Sequence, residues 1–115
     1  MFNNAAQTLA EVTQLLTPRT WAQGAEAKDA QGTGVHPDSS FAQSYSLTGA
    51  VYRVSKFDGT PESRRRYEAA VKLLLTTFQE LHPKEHWLKW HDAPERTFAD
   101  IAELLTKTQQ KIAKD

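Results

Sequence analysis

Residues 60–81 read T-P-E-S-R-R-R-Y-E-A-A-V-K-L-L-L-T-T-F-Q-E-L, and their apolar positions follow the period of an α-helix. Thr60 is a suitable N-cap, Pro61 suits the first helical position, and Glu62 favours the positive end of the helix dipole. One stripe of this helix carries the apolar residues Tyr67, Val71, Leu74, Phe78 and Leu81. Further leucines widen the apolar surface beyond half the circumference, so we predict a central helix over 61–81 with neighbours on two sides.

The size and composition of the chain predict one soluble domain spanning residues 1–115. Hydrophobic residues make up 39% of the sequence and charged residues 24%, and no apolar run approaches the roughly 20 residues that a membrane helix needs. The N-terminus lacks the basic start and apolar segment of a signal peptide, which predicts a cytoplasmic location. The sequence contains no cysteine, so disulfides, thiolate metal sites and cysteine nucleophiles are excluded.

The balance of acidic and basic residues argues against partners that bind mainly by electrostatic attraction to the net charge of the chain. The chain carries 14 basic and 14 acidic residues, so its net charge does not attract nucleic acid or an anionic membrane. We therefore expect no membrane partner, and binding to nucleic acid would need a local basic patch.

Two further helices are predicted near the ends of the chain. One spans about residues 4–17, with Asn3 or Asn4 as its cap and a proline after its last turn. The other spans about 97–114 and begins at Thr97, whose hydroxyl can cap the first turn. Both segments repeat apolar residues at helical spacing, so each is expected to lay one face on the core.

A fourth helix is predicted over about residues 40–55, after a start signal with Asp38 or Ser39 as the cap. Gly49 inside this helix costs about 1 kcal/mol relative to alanine. The usual compensation is the close approach of another helix or of the hairpin described below. A single short turn of helix is also indicated at 85–90.

Between the first two helices the apolar pattern changes to the alternation typical of strands. We predict a β-hairpin over about 21–36, in which Trp21–Lys28 pairs with Thr33–His36 across a type I turn at Asp29–Gly32. Alanine is a poor strand former, so continued helix in this region is the alternative. The predicted fold is therefore mainly α with a minor β component, consisting of four helices and a short hairpin packed against them.

Short motifs in these elements resemble those of a known family. The motifs are W-A-Q-G-A at 21–25, D-A-Q-G at 29–32, G-A at 49–50, W-H-D at 90–92 and R-T at 96–97. Their order and spacing resemble a family of short uncharacterised proteins from actinobacteria, other soil bacteria and their phages, which is classified as a domain of unknown function. The family pattern reads Trp-x-x-Gly-Ala, Asp-x-x-Gly, Trp-Cys-x-x-Gly-Ala, Trp-Asn-Asp and Arg-Thr.

The chain follows this family pattern over most of its length and departs from it at three positions. The matching positions are Trp21, Gly24, Ala25, Asp29, Gly32, Gly49, Ala50, Trp90, Asp92, Arg96 and Thr97. Tyr45 replaces the family's Trp, Ser46 its Cys and His91 its Asn. The resemblance supports the layout of a hairpin with helices, and it implies no activity.

One candidate site is a small pocket where the hairpin meets the start of the last helix. Trp21 and Trp90 would form an aromatic wall, and His91 would act as general acid or base because an unperturbed imidazole titrates near neutrality. Asp92 would orient that imidazole or a metal-bound water, and Arg96 would hold an anionic part of the ligand. The structural alternative is that Asp92 bonds only backbone N–H groups in a turn while His91 points into solvent.

Arg64, Arg65 and Arg66 form a second candidate site, for phosphate or nucleic acid. They lie in the first turns of the central helix, where cations oppose the dipole, and this placement favours a binding role. The alternative is a solvated face with Glu62 and Glu68 as counter-charges, and the zero net charge favours that alternative.

His82, His86 and His91 with Asp92 are candidate metal ligands, because imidazole and carboxylate groups suit zinc and the four-residue spacing of His82 and His86 places two side chains on one helix face. Pro83 between them argues against a regular helix, and surface histidines in a polar turn are the simpler interpretation. The sequence therefore predicts no metal site, and it contains no nucleotide-binding loop that would indicate a cofactor.

The function that fits these observations best is a small non-enzymatic interaction or regulatory module. No recognisable catalytic constellation is present, and the apolar central helix favours a protein partner or self-association. The first alternative is nucleic-acid or phosphate binding through Arg64–Arg66. The second is a small ligand-binding or hydrolytic pocket near Trp21, Trp90 and His91.

Overall fold

The computed structural model describes residues 4–56 and 58–114. Within these ranges the chain forms five helices and two short strands. The helices are α1 (Asn4–Leu15), α2 (Leu47–Val54), α3 (Pro61–Leu81), α4 (Trp87–His91) and α5 (Phe98–Lys114), and the strands are β1 (Ala27–Lys28) and β2 (Ser44–Tyr45). The predicted class, mainly α with a minor β component, is confirmed. The alternative cap Asn3 lies outside the described residues.

Helix α3 begins as its sequence predicts and occupies the centre of the fold. The Thr60 hydroxyl accepts a hydrogen bond from the Ser63 N–H at 3.2 Å, and Pro61 is the first helical residue. The helix packs against α1, α2 and α5, so its apolar surface is covered from more than one side. Leu74 and Phe78 of the predicted stripe are buried, whereas Leu81 is 42% exposed because the helix ends there.

The core joins apolar side chains of all four longer helices with those of the strands and α4. Its buried members include Leu9, Val12, Leu47, Val51, Leu74, Phe78, Trp90, Ile101 and Leu105. Burying a side chain of this size contributes roughly 1.5–3 kcal/mol. Helical periodicity in the sequence therefore identifies the elements that supply most of the driving force for folding.

The predicted helix over 40–55 is shorter than its pattern suggests, because α2 begins only at Leu47. Ser46 is its N-cap, with its hydroxyl accepting a hydrogen bond from the Gly49 N–H at 3.0 Å. The predicted caps at Asp38 and Ser39 instead lie in turns that precede β2. The backbone just before Ser46 is extended because it pairs with β1, and a strand cannot also be the first turns of a helix.

The predicted hairpin was wrong in its extent and in its main pairing. Strand β1 pairs antiparallel with β2, and it meets the predicted partner segment only through an isolated bridge between Lys28 and Gly34. The turn at Asp29–Gly32 forms as predicted, since the Gly32 N–H donates to the Asp29 carbonyl at 3.0 Å. Gly24, with φ of 82°, turns the chain within the segment predicted to be a strand.

The remaining elements lie close to their predicted positions. Thr97 and Asp100 bond each other's backbone N–H groups before and within the first turn of α5. The short helix α4 replaces the single turn indicated near residues 85–90. Among the described residues, no helix has both the length and the apolar character that a membrane span requires.

Candidate functional site

His91 ends α4 and lies in the interior of the protein, with 2% of its surface exposed. Its Nε2 atom accepts two hydrogen bonds, from the Trp21 indole N–H at 3.1 Å and from the Leu47 backbone N–H at 3.2 Å. The two donors come from the segment before β1 and from the first residue of α2. His91 therefore ties together parts of the chain that are 44 and 70 residues away from it in sequence.

The hydrogen-bond partners of both imidazole nitrogens indicate which of them carries the hydrogen in His91. Nδ1 lies 2.8 Å from the Asp92 Oδ1 atom. Because Nε2 accepts from two N–H donors, it carries no proton, and the neutral ring places its hydrogen on Nδ1, which donates to Asp92. The same Asp92 oxygen accepts the Gly24 N–H at 3.1 Å.

The pKa values of this pair follow from the same contacts. Burial lowers the pKa of His91 from its usual 6.5, and this effect outweighs the opposing influence of the Asp92 carboxylate. Partial burial raises the pKa of Asp92, but the hydrogen bonds from His91 and Gly24 outweigh it, so that pKa lies below its usual 3.8. At neutral pH the structure therefore holds a neutral imidazole beside an ionised carboxylate.

Gln23 forms two further hydrogen bonds that no sequence motif predicts. Its side-chain amide donates to the carbonyl oxygens of His91, at 2.8 Å, and Ala93, at 2.9 Å. A polar residue in an alternating segment gives no indication of a partner about 70 residues away. We call residues 21–26 together with Leu47, His91 and Asp92 the junction, because hydrogen bonds among them join three segments of the chain.

Gly49 marks where α2 packs against the junction. A Cβ atom at this position would lie 1.9 Å from the Glu26 carbonyl oxygen and 2.8 Å from its carbon. The predicted compensation for a glycine inside a helix is therefore present, because the backbone of residue 26 occupies the space that any side chain would need.

Trp90 and Arg96 form a unit of their own beside the junction. The Arg96 guanidinium lies 4.3 Å from the centroid of the Trp90 ring, and its Nε atom donates to the Trp90 carbonyl at 2.7 Å. Arg96 also pairs with Asp100 at 3.4 Å. Of the residues proposed for one pocket, Trp21, His91 and Asp92 thus come together, while Trp90 and Arg96 do not line the concavity that His91 and Asp92 share.

That concavity is a groove of about 280 Å³. It is lined by Gly24, Ala25, Glu26, Ser46, Thr48, Trp87, Leu88, His91 and Asp92. Leu88 is 57% exposed, a large fraction for a leucine, and Trp87 is half-buried. We call this surface the α4 groove. Leu88 is a site residue that sequence reasoning missed, since its short helix has too few turns to reveal which face is open.

Ser46 lies in the α4 groove without forming a nucleophile–base pair. Its hydroxyl accepts from the Gly49 N–H and lies 3.5 Å from the Thr48 hydroxyl. His91 directs Nε2 at Trp21 and Leu47 and not at Ser46. Ser46 therefore acts as a helix cap in this structure.

Two of the four candidate metal ligands, His82 and His86, lie apart from the α4 groove. His82 bonds Glu85 through Nδ1 at 2.8 Å and packs against the rings of Phe78 and Trp90. His86 is exposed at the N-terminus of α4. Across residues 4–56 and 58–114, no three potential ligand side chains converge on a position suitable for a metal ion.

The three arginines at the start of α3 do not all face the same environment. Arg64 and Arg65 are exposed, whereas Arg66 is half-buried and its Nε atom is buried without a hydrogen-bond partner in the described structure. Arg66 lines a polar concavity together with Glu11 and Glu62. The acidic side chains offset the positive charge there, and phosphate or nucleic-acid binding remains a prediction.

Comparison with known proteins assigns the chain to a family without a known role. The sequence matches the profile of a family of unknown function, DUF6197, over residues 2–111, and the chain belongs to this family. No curated protein and no solved structure shows significant similarity to it. The resemblance to a domain of unknown function is thus confirmed, whereas a bacterial or phage origin remains a prediction.

Proposed function

We propose that this protein is a non-enzymatic interaction module that binds a protein partner through the α4 groove. The observation that carries the proposal is Leu88, which is 57% exposed in the lining of a concave surface. An exposed leucine alone is ordinary, but one beside an aromatic ring in a groove is typical of binding surfaces. Trp87 supplies that ring.

The state of His91 favours binding over catalysis. A general base needs an accessible lone pair within hydrogen-bond reach of its substrate. The Nε2 lone pair of His91 is directed at the N–H groups of Trp21 and Leu47, and Nδ1 donates to Asp92. Using His91 as a base would break bonds that join three segments of the chain, so its role in this proposal is to fix the shape of the groove.

The groove is large enough to hold side chains of a macromolecular partner. Sites for small molecules usually enclose roughly 300–1,000 Å³, and the α4 groove holds about 280 Å³. A space of this size, at the lower end of that range, has room for one or two side chains of a larger partner. The surface around Leu88 would then supply the rest of the contact.

Leu88→Glu tests the proposal, with Leu81→Glu as the matched control. Both leucines are partly exposed, at 57% and 42%, and Leu81 lies at the end of α3 outside the groove. A partner is isolated from a lysate of the source organism on immobilised wild-type protein, purified, and titrated calorimetrically against each variant. We expect Leu88→Glu to weaken binding about tenfold or more, as loss of a central contact of at least 1.4 kcal/mol does.

The proposal is contradicted if the purified partner binds wild type and Leu88→Glu with equal affinity. It is also contradicted if no specific partner is captured and the protein stays monomeric. Sedimentation velocity at several concentrations identifies the case in which the partner is a second copy of the chain. If the copies associate, Leu88→Glu is expected to dissociate them and Leu81→Glu is not.

A further inference from the structure

We infer that the α4 groove accepts an arginine side chain of the partner, flanked by an apolar residue that contacts Leu88. This inference rests on the proposed function and names the chemistry of its partner. It depends on three properties of the groove, namely its charge, its aromatic wall and the fixed position of one of its carboxylates.

The charge of the groove is negative, although the chain as a whole is neutral. Its ionisable lining residues are Glu26, Asp92 and His91, and His91 is neutral for the reasons given above. No ion pair among the described residues brings a lysine or arginine to Glu26 or Asp92. Lys28 is near enough to lower the pKa of Asp92 but forms no ion pair with it. A cationic group is therefore the complementary occupant.

Trp87 favours a guanidinium over an ammonium as that cation. Its ring lines the groove and is held by contacts with Phe78, Trp90 and His91, at centroid distances of 5.3, 5.9 and 5.5 Å. A planar guanidinium stacks flat on an indole ring and is more weakly hydrated than an ammonium, so it loses less hydration when it enters an aromatic-walled groove. The same protein already shows this preference, because Arg96 stacks on Trp90.

Asp92 is prepared to receive that guanidinium. Its Oδ1 atom is fixed by the N–H groups of His91 and Gly24, while Oδ2 accepts no hydrogen bond from the described residues. The carboxylate is 36% exposed, so a ligand can reach it. Because the anchored oxygen orients the group, little side-chain entropy is lost when a partner binds to the other oxygen.

The experiment uses two synthetic peptides as probes, acetyl-Leu-Arg-Leu-amide and the same peptide with citrulline in place of arginine. Citrulline keeps the shape of arginine and lacks its charge. We expect the arginine peptide to shift the NMR signals of Gly24, Glu26, Asp92 and the Trp87 indole in a saturable manner. The citrulline peptide should bind about tenfold more weakly, because it cannot form a charge-assisted hydrogen bond with a carboxylate of the groove.

Glu26→Gln is the variant that tests the charge, because Glu26 is exposed and its side chain takes no part in the hydrogen bonds of the junction. We expect several-fold weaker binding of the arginine peptide and an unchanged response to the citrulline peptide. Glu103→Gln, on the exposed side of α5, is the matched control and should bind like wild type. Three results would overturn the inference. The two peptides could bind with equal affinity, the shifted signals could map outside the groove, or no signal could shift at the highest soluble peptide concentration.

The two proposals fail in distinguishable ways. If Leu88→Glu weakens binding of the purified partner while both peptides bind equally, the groove is an interaction surface and the arginine assignment is wrong. If the arginine peptide binds selectively while Leu88→Glu leaves the partner bound, the groove binds a guanidinium but the partner uses another surface, so the proposed function and the assignment of the arginine to that partner are both wrong.

Discussion

The helical core and the junction are held together by different forces. The core joins side chains such as Leu9, Phe78 and Ile101, which are at most 1% exposed and contribute through the apolar area they bury. The junction joins Trp21, Leu47 and His91 through polar atoms, each bond adding only about 0.5–1.5 kcal/mol net. The core therefore drives folding, and the junction decides where residues 21–26 lie on it.

This difference determines how each region tolerates change. A core side chain can be exchanged for another of similar volume at modest cost, because burial has no direction. A junction residue has a partner at a fixed atom and angle, and removing one partner leaves the other buried and unpaired. The three predictions below test the contact between the two regions, the hydrogen bonds of His91 and the charge of His91.

The largest effect is expected where α2 of the core meets the junction. In Gly49→Ala the new methyl group would lie 1.9 Å from the Glu26 carbonyl oxygen, and backbone cannot rotate away as a side chain can. We expect the free energy of unfolding, measured in urea, to fall by about 3 kcal/mol or more. Gly34→Ala is the control, because its methyl group meets the Ala25 Cβ at an ordinary 3.5 Å. Similar stability of the two variants would show that α2 does not pack this closely.

A smaller loss of unfolding free energy is expected when His91, the residue that accepts hydrogen bonds from the other segments of the junction, is replaced. His91→Leu leaves the N–H groups of Trp21 and Leu47 without an acceptor, which should cost about 2–3 kcal/mol of unfolding free energy. His91→Gln places an amide oxygen near the position of Nε2 and should lose only about half as much. The comparison in urea is decisive, since equal losses would mean that His91 contributes volume and not hydrogen bonding.

The smallest effect is the dependence of stability on pH. Because burial holds the pKa of His91 below its usual 6.5 in the folded protein, the unfolded chain binds the proton at higher pH than the folded one. The stabilisation is complete above pH 6.5 and is lost as the pH falls through the lower folded value. We expect a shallower decline for His91→Gln over the same interval, measured by thermal unfolding. Parallel curves for the two proteins would contradict the assigned burial effect.

The sequence predicts the core well because helical periodicity is a local signal. The span of α3, its Thr60 cap and its place between other helices all follow from residues close together in the chain. The start of α2 could not be predicted, because the strand pairing of Ser44–Tyr45 with Ala27–Lys28 is not visible in either segment alone. A segment whose apolar pattern fits a helix can still form a strand, because pairing with a distant segment supplies the hydrogen bonds of its backbone.

The candidate site was only partly accessible to sequence reasoning. Trp21, His91 and Asp92 were expected to share one place, and they do, but the geometry assigns His91 to a buried hydrogen-bonding role that composition does not reveal. Gln23 and the exposure of Leu88 carried no sequence signal. The bonds of Gln23 join residues about 70 positions apart, and a single sequence does not encode such contacts locally.

The measurement that tests the junction most directly is heteronuclear NMR of the His91 imidazole nitrogens at neutral pH. The structure predicts a neutral ring with its hydrogen on Nδ1 and a bare Nε2, because Trp21 and Leu47 both donate to that atom. In His91→Gln the Trp21 indole N–H signal should shift only slightly, whereas in His91→Leu it should move toward that of a free indole. A hydrogen on Nε2, or on both nitrogens, would contradict the account and return His91 to the list of candidate acids and bases.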